Sequence, residues 1–439
     1  MPRLPPSLFR RAARISPHLA TLLPACRTIA SARAELRWIR EHVSSTPTPS
    51  RGNSDAANDD DGNDNARIAR LAARRGAGEP LQYVLGTQPF AGLEMLCARG
   101  VLIPRPETEA WAAMLAELLF PPPSSSLPPP PPSPLSPAPS VRGSGDGAGE
   151  TRENSHGAVG GGGGGVRILD FCSGTGCIGL ALHAHAHAQR RAVTAAAAAA
   201  APAEVFGFDV EPRAVRLARR NRAHNNLGGS ATTTTAAEGA ITFRRADVFA
   251  DAWMADLPPP REEDDGGVRR RVDVLVSNPP YISRRGFAAD TGRAVRNYEP
   301  ELALVPRPRS PIPGAGPCAP EDVFYARLLE LADALRPRVV ALEVGDMAQA
   351  ARVAGMAVAA AARDRDRDDG RARWGVVEIW RDWPDCRPAD GEEDVVEVCG
   401  RGIPVRGSGH GRVVFLVEDE MVRNTAVNRG FRRGLYAEG

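Results

Sequence analysis

Four residues that directly follow an apolar run carry the most chemical information in this chain. The run at 272–277 has the composition of a buried strand and leads into Asn278, Pro279, Pro280 and Tyr281. An Asn side-chain oxygen and a Pro carbonyl can each accept one N–H bond from a planar NH2 group, which would hold that nitrogen in line with a methyl donor. The Tyr ring can stack on a flat amide or base. The pattern predicts an amide- or base-orienting site, and the alternative is a Pro-Pro turn that only ends a strand.

A second group of candidate residues follows the strand-like run at 166–171. Glycines let a backbone turn sharply and approach a ligand, and the N–H groups of a helix that begins near Cys177 would lie beside that ligand. We expect this turn to hold a nucleoside-containing cofactor. The turn residues predicted to contact it are Cys172, Ser173, Gly174, Thr175 and Gly176. The same stretch fits G-x-G-x-x-G, a pattern that is weak evidence of a dinucleotide when it stands alone.

Acidic residues end the next two predicted strands. The run at 204–209 ends in Asp209, whose carboxylate can accept both hydroxyls of a ribose, as the acid at the end of the second strand of such a unit commonly does. The alternative is a solvated acid that opens the following helix. A third strand at 240–245 leads to Asp247 and Val248. Asp247 could bind an adenine amino group and Val248 could pack on the ring, or both could simply end a strand.

Taken together, these residues resemble the release-factor glutamine methyltransferases, the PrmC/HemK-type enzymes. The resemblance includes the stretches 79–86 and 101–109, which look like the family's connector ahead of its catalytic domain, and the stretches 298–304 and 342–345 further along. It covers most of the chain outside the low-complexity insertions. Cys172 departs from the pattern, because many members have glycine there.

The resemblance implies a fold, a cofactor and a substrate. The fold is the class I S-adenosylmethionine-dependent methyltransferase fold, an α/β architecture with a seven-stranded, mostly parallel sheet, helices on both faces and a small helical N-terminal domain. The cofactor is S-adenosyl-L-methionine. The reaction is methylation of N5 of the glutamine in the Gly-Gly-Gln motif of a peptide-chain release factor, with a mitochondrial factor favoured.

Two other functions account for part of the pattern. An amino-methyltransferase that acts on adenine or cytosine of nucleic acid shares the Asn-Pro-Pro-Tyr run, and a basic, base-flipping recognition module would distinguish it. A nicotinamide-dependent oxidoreductase would explain the glycines and Asp209, but it leaves the run at 278–281 without a role.

Length, net charge, cysteine content and apolar runs limit the domains, partners and sites that this chain can have. The 439 residues suffice for two domains, one of them with a sizeable core. A formal net charge of +2 gives no general attraction to nucleic acid, so we expect no direct nucleic-acid partner. The seven cysteines contain no C-x-x-C pair, which favours a reducing compartment and no metal site. We also expect no membrane span, since the alanine-rich run at 192–201 is only weakly apolar and is followed by Pro202.

The first 34 residues contain six arginines and no acid, which predicts a mitochondrial presequence and a mitochondrial matrix location. The alternatives are a basic tail without an address and a cytoplasmic enzyme. Helical periodicity at 32–43 and 66–75 predicts the small N-terminal domain. The predicted organisation is a presequence (1–30), a helical domain (31–92) with a disordered insertion (44–65), a connector (93–120), a low-complexity insertion (121–165), a catalytic domain (166–420) and a tail (421–439).

Overall fold

The computed structural model describes residues 3–46, 64–122, 165–192, 203–227, 241–260, 270–307, 318–365, 373–419 and 421. Within these ranges the chain forms a small helical domain, a connector and a larger α/β domain. Most residues of the predicted insertions lie outside the described residues, and so does the predicted tail apart from Met421. None of the helices in the described ranges has the length and hydropathy needed to cross a bilayer.

Five helices precede the first strand. They are α1 (Pro6–Ile15), α2 (Pro17–Cys26), α3 (Ile29–Ser45), α4 (Asp64–Gly76) and α5 (Leu81–Leu85). Proline stands in the first turn of α1 and of α2, where its missing N–H removes no intrahelical bond. Thr28 caps α3 by accepting a hydrogen bond from the Ser31 N–H (3.1 Å). Leu19, Leu22 and Leu23 of α2 pack with residues of α1, α3 and α4 in one buried cluster.

The helical domain therefore begins at Pro6, which differs from the predicted boundary at residue 31. Arg10, Arg11 and Arg14 lie on the exposed side of α1, while Ala12 is fully buried. The basic, acid-free composition that predicted a presequence also describes the solvent-facing side of this helix. Each leucine buried from α2 contributes about 1.5–3 kcal/mol, so residues 1–30 supply part of the core of the domain. The import address itself stays a prediction.

A hairpin links the helical domain to the α/β domain. Its strands β1 (Thr87–Phe90) and β2 (Leu93–Leu96) are antiparallel, and the predicted boundary between helical domain and connector falls at their turn. The turn residues Ala91 and Gly92 both have positive φ (47° and 78°), as a two-residue hairpin turn of type I′ requires. Asn221 of the α/β domain accepts a bond from the Leu96 N–H (2.7 Å), so the hairpin is attached to that domain. Within the predicted connector, helix α6 (Pro106–Leu119) follows the hairpin.

A nine-stranded sheet forms the centre of the α/β domain. The strands are β3 (Arg167–Phe171), β4 (Glu204–Asp209), β5 (Ile241–Arg245), β6 (Val274–Ser277), β7 (Val339–Glu343), β8 (Trp374–Trp383), β9 (Val395–Val398), β10 (Arg401–Arg406) and β11 (Ser408–Glu418). Their order is β5-β4-β3-β6-β7-β11-β8-β10-β9. The strands from β5 to β7 are parallel, and β11 is antiparallel to both of its neighbours.

The seven strands from β5 to β8 correspond to the predicted seven-stranded sheet. The last two strands, β10 and β9, extend it beyond β8 and lie between β8 and β11 in the chain. They are short, and Pro404 and two arginines interrupt the apolar pattern of β10, so periodicity did not indicate them.

Helices cover both faces of the sheet. They are α7 (Cys177–Ala192), α8 (Pro212–His224), α11 (Val323–Leu335) and α12 (Met347–Arg365), together with α6. Two short helices without buried residues, α9 (Arg284–Ala289) and α10 (Arg293–Tyr298), follow β6. Alternate residues of β7 enter opposite cores: Val339 and Ala341 pack with α6 and α7, whereas Val340 and Leu342 pack with α11 and α12. A parallel strand buried on both faces is apolar throughout, and this is why β6 and β7 read as continuous apolar runs.

Candidate active site

The predicted cofactor turn lies between β3 and α7. Cys172 (φ 58°), Gly174 (φ 56°) and Gly176 (φ 80°) adopt left-handed backbone conformations. Ser173 N–H donates to the Phe208 carbonyl (3.1 Å), and Gly176 N–H donates to the Ser173 carbonyl (2.7 Å). A left-handed conformation costs a residue with a side chain about 1–2 kcal/mol, and this explains why glycine suits the position of Cys172.

Two glycines of the turn have different spatial requirements. A Cβ atom on Gly176 would lie 2.7 Å from Phe243 Cζ, so this glycine permits the packing of the turn on β5. A Cβ atom on Gly174 would meet nothing closer than the Cys172 carbonyl oxygen at 3.9 Å. Gly174 therefore faces open space in a cleft. Cys172, Ser173, Gly174 and Thr175 line this cleft, and Gly176 does not.

Asp209 ends β4 beside this turn, as predicted. Its Oδ2 accepts a bond from the Gly174 N–H (2.9 Å), and its Oδ1 accepts one from the Glu211 N–H (2.8 Å). Burial raises the pKa of the Asp209 carboxyl, and the two backbone donors oppose that shift. A carboxylate oxygen accepts more than one hydrogen bond, so both oxygens keep capacity for the hydroxyls of a ribose.

Asp247 and Val248 line the same cleft beyond β5. Asp247 Oδ1 accepts a bond from the Phe249 N–H (3.1 Å), and Val248 is buried. The ring of Phe249 meets Phe324 edge-on, with centroids 4.8 Å apart, and both rings belong to the cleft wall. The structure thus brings the predicted adenine-binding residues into one cavity with Asp209. The contacts to adenine stay a prediction.

Two buried polar atoms beside the glycine turn have no hydrogen-bond partner among the described residues. They are Asp170 Oδ1 and Ser173 Oγ. Asp170 Oδ2 accepts a bond from the Gly179 N–H (3.2 Å), and burial raises the pKa of Asp170 to about 7. Sequence reasoning did not single out Asp170, although an acid inside an otherwise apolar strand was the available signal. Ser173 lines the cleft and Asp170 does not, so the Ser173 hydroxyl and the open space at Gly174 are the features that fit a polar cofactor there.

The run at 278–281 begins where β6 ends. Asn278 and Pro280 line the cleft, and Pro279 is buried. Tyr281 donates its hydroxyl hydrogen to Glu343 Oε1 (3.2 Å), and its ring lies close to Gly345, where an added Cβ would be 3.1 Å from Tyr281 Cδ2. The structure therefore brings Asn278 and the cofactor turn together in one cavity. The predicted stacking of Tyr281 on a substrate amide stays a prediction.

Sequence reasoning missed the hydrogen bonds behind Asn278. Asn278 Nδ2 lies 3.4 Å from Thr108 Oγ1, and Thr108 Oγ1 lies 2.7 Å from Glu343 Oε2. Trp111 Nε1–H donates to the same oxygen of Glu343 (2.7 Å). The sequence named the connector and the stretch 342–345 as resemblances only, and no local pattern indicated that they meet.

The connector also forms the rim of the cleft. Glu299 accepts bonds from the Ile103 N–H (3.1 Å) and from Arg105 Nη2 (2.7 Å), which ties the segment after α10 to the connector. Leu302 of that segment lines the cleft and is 36% exposed. The rim is thus partly apolar and open to a side chain that enters from solvent.

The fold and the site define a class of protein. The strand order β5-β4-β3-β6-β7-β11-β8, with β11 antiparallel to its neighbours, is the class I S-adenosylmethionine-dependent methyltransferase fold that the sequence predicted. The glycine turn after β3 and the acid at the end of β4 lie at the carboxyl edge of the sheet, where open α/β sheets bind their ligands.

Comparison with known proteins identifies relatives. The chain is 28% identical over 305 residues to the mitochondrial MRF1 N(5)-glutamine methyltransferase MTQ1 of Saccharomyces cerevisiae, covering 70% of this chain and 68% of that protein. It is 27% identical over 239 residues to the probable mitochondrial counterpart of Schizosaccharomyces pombe, covering 54% and 55%. It is 29% identical over 241 residues to the release factor glutamine methyltransferase of Agrobacterium fabrum, covering 55% and 56%.

These matches confirm the predicted resemblance to the release-factor glutamine methyltransferases. The chain spans about two thirds of the first relative and little more than half of the other two. No protein-family model matches the chain.

Solved structures with similar folds are more distant. A S-adenosylmethionine-dependent methyltransferase from Agrobacterium tumefaciens is 13% identical, with a TM-score of 0.32 over 76% of this chain and 69% of that one. The human methyltransferase 10 domain containing protein is 13% identical, with a TM-score of 0.33 over 75% and 90%. Because both scores lie below 0.5, the fold assignment depends on the strand order and not on these likenesses.

Replacing Asp209 by alanine should weaken the binding of S-adenosylmethionine by roughly ten- to a hundred-fold, because a charged acceptor for two hydroxyls is lost. Calorimetric titration measures the change. Asp390 is exposed between β8 and β9, so Asp390→Ala serves as the control and should keep the wild-type dissociation constant. An unchanged constant for Asp209→Ala would remove this side chain from the cofactor site.

Proposed function

We propose that this chain transfers a methyl group from S-adenosylmethionine to N5 of the glutamine in the Gly-Gly-Gln motif of a peptide-chain release factor. The observation that carries the proposal is the shared cavity: Asn278, which can orient an amide, lines the same cleft as Gly174 and Asp209. The names of the relatives supply the substrate, because three of them are release-factor or MRF1 glutamine methyltransferases.

The residues of the site divide between holding the cofactor and orienting the amide. Asp209 would hold the ribose, Asp247 and Val248 would hold the adenine, and the turn from Cys172 would lie beside the methionine part. When bound, the cofactor supplies an electrophilic methyl group on a sulfonium whose positive charge disappears during transfer. An amide nitrogen is a poor nucleophile, so the contribution of the protein is chiefly one of position.

Asn278 and Pro279 would hold the target amide. The Asn278 side-chain oxygen and the Pro279 carbonyl accept its two N–H bonds, and the nitrogen then faces the methyl group. The amide proton can leave after transfer, when the nitrogen is far more acidic, so no strong base is needed at this step. The packing of Tyr281 against the amide completes the proposed site.

The rim of the cleft suits a glutamine at the tip of a loop. Leu302 and Arg105 line the cleft there, and the bond from Arg105 to Glu299 ties the two segments of the rim together. An exposed loop tip reaches such a cleft without the unstacking that a base in a duplex requires.

Replacing Asn278 by alanine should lower turnover by about two orders of magnitude or more and leave cofactor affinity unchanged, because an acceptor is lost only at the reacting amide. Methyl-transfer kinetics and calorimetric titration measure the two effects separately. Asn297 is exposed on α10, and Asn297→Ala should behave as wild type. Wild-type turnover by Asn278→Ala would contradict the amide-orienting role.

The proposed substrate is tested by intact-mass analysis of a mitochondrial release factor after incubation with the enzyme and cofactor. The factor should gain the mass of one methyl group. A factor in which the Gly-Gly-Gln glutamine is replaced by glutamate should gain none, because it lacks the amide nitrogen. Methyl incorporation into DNA or RNA but not into the factor would instead support the nucleic-acid alternative.

We also propose a mitochondrial location, in the matrix. The names of two relatives, which call them mitochondrial, and the arginines of the N-terminal segment support it. Deleting residues 1–30 would remove α1 and α2 from their core and confound import with folding. Replacing the exposed Arg10, Arg11 and Arg14 by glutamine spares the core, and it should shift a tagged full-length chain from the mitochondrial to the cytosolic fraction.

The control for this experiment is a triple glutamine variant on α3, at the exposed Arg33, Arg37 and Arg40, which should keep the wild-type distribution. Equal thermal melting of both variants would show that the fold is intact. A wild-type chain found only in the cytosol would contradict the proposed location.

A further inference from the structure

Glu343 is a buried carboxylate that three side chains contact from two directions. It ends β7, is 1% exposed, and lies one residue beyond the pairing of Leu342 with Ser277, the residue that precedes Asn278. Thr108 and Trp111 of α6 contact Oε2, each at 2.7 Å, and Tyr281 contacts Oε1 at 3.2 Å. The position of Glu343 directly behind the proposed amide site calls for an explanation beyond packing, since a buried carboxyl is costly.

The chemistry of the donors determines the direction of each hydrogen bond. An indole N–H only donates, so Glu343 Oε2 accepts from Trp111. Burial raises the pKa of Glu343, and the bonds from Trp111, Thr108 and Tyr281 and the positive charge of Arg412 oppose that shift. As a carboxylate, Glu343 offers only acceptor oxygens to the three side chains that converge on it. Thr108 must then donate its single hydroxyl hydrogen to Oε2. The Thr108 oxygen can then only accept a hydrogen bond from its next neighbour.

That next neighbour is the side-chain amide of Asn278. The Asn278 amide can present either its NH2 group or its oxygen to Thr108 Oγ1. If it presented its oxygen, two acceptor atoms would face each other without a hydrogen between them, which is repulsive. The NH2 group therefore faces Thr108, with Nδ2 and Oγ1 3.4 Å apart. The two ends of an amide point in opposite directions, so the Asn278 oxygen is turned away from Thr108.

We propose that Thr108 and Glu343 are positioning residues, which orient the Asn278 amide so that its oxygen faces the target nitrogen. This inference rests on the proposed function, because only a substrate with an NH2 group needs an acceptor there. With the amide reversed, Asn278 would present N–H donors to the N–H donors of the target. The hydrogen-bond chain from Glu343 through Thr108 excludes that arrangement.

The test compares methyl-transfer kinetics of substitutions at Thr108. Thr108→Val keeps the shape and removes the hydroxyl, and it should lower kcat by about ten- to a hundred-fold while the dissociation constant of S-adenosylmethionine stays within a few-fold of wild type. Thr108→Ser restores the hydroxyl and should restore kcat to within a few-fold of wild type. Failure of serine to restore kcat overturns the inference.

Trp111→Phe provides the matched control. It removes another donor to the same Glu343 oxygen, but it leaves the contact of Thr108 with Asn278 in place. Trp111 is fully buried and does not line the cleft, so its replacement should lower thermal stability and keep kcat within a few-fold of wild type. An equal fall of kcat in Trp111→Phe and Thr108→Val would show that Thr108 acts only by stabilising the carboxylate, and would overturn the inference.

Glu343→Gln provides a second, independent test of the inference. A glutamine NH2 can donate to Thr108, whose hydroxyl is then free to donate to the Asn278 oxygen and reverse the amide. We expect kcat to fall by a similar factor. Both substitutions break the same series of hydrogen bonds, from Glu343 through Thr108 to Asn278. The kcat of the double variant should therefore be no lower than the kcat of Thr108→Val alone. Additive losses overturn the inference.

Neutron diffraction of the deuterated enzyme separates this inference from the proposed function. Deuterons on the Asn278 atom that faces Thr108 support the inference, whether or not the enzyme methylates a release factor. An oxygen in that position overturns it. A wild-type enzyme that transfers no methyl group to any release factor would contradict the proposed function, and the orientation of Asn278 would still be read from the nuclear density.

Discussion

The parallel pairing of β3 with β6 is the constraint on which the candidate site depends. Phe171 pairs with Ser277, so both strands end at the same level, and the glycine turn and Asn278 start side by side. The Ser277 hydroxyl adds a hydrogen bond at this last pair, since it donates to the Phe171 carbonyl (2.8 Å). A shift of register by two residues would move Asn278 by about 6–7 Å and separate the amide site from the cofactor turn. The pairings of β4 and β7 on either side bring Asp209 and Glu343 to the same edge.

Three carboxyls lie at that edge, and each accepts hydrogen bonds from donors of other elements. Burial raises the pKa of Asp170, Asp209 and Glu343 alike. Backbone N–H groups of the glycine turn and of α7 bind the two aspartates, and side chains of α6 and the Asn-Pro-Pro-Tyr run bind Glu343. Such groups cost free energy when they are buried without partners, so the donors hold these three carboxyls in one arrangement before a ligand arrives.

The N-terminal helices show how one composition serves two physical roles. Arginines on the exposed side of α1 and apolar residues on its buried side make an amphipathic helix, which is both what an import leader needs and what a small helical domain presents to solvent. Composition alone does not distinguish the two. The leucines of α2 show the structural role, because Leu19, Leu22 and Leu23 fill the core of the domain together with α3 and α4, and the import role stays a proposal.

The sequence by itself determined the parts of this protein that local patterns encode. Apolar runs predicted β3, β4, β5 and β6 of the central sheet. The residues that follow these strands predicted the cofactor turn, Asp209 and Asn278, because a parallel sheet collects the carboxyl ends of its strands at one edge. Only the tertiary structure decided which side chains stand behind those residues. Thr108 lies 170 residues from Asn278 and 235 from Glu343 in the chain, and no spacing rule connects them. Their contacts exist because α6 packs on α7 and on β8, which brings Thr108 and Trp111 to the end of β7, and a carboxyl buried there requires donors from the elements that surround it.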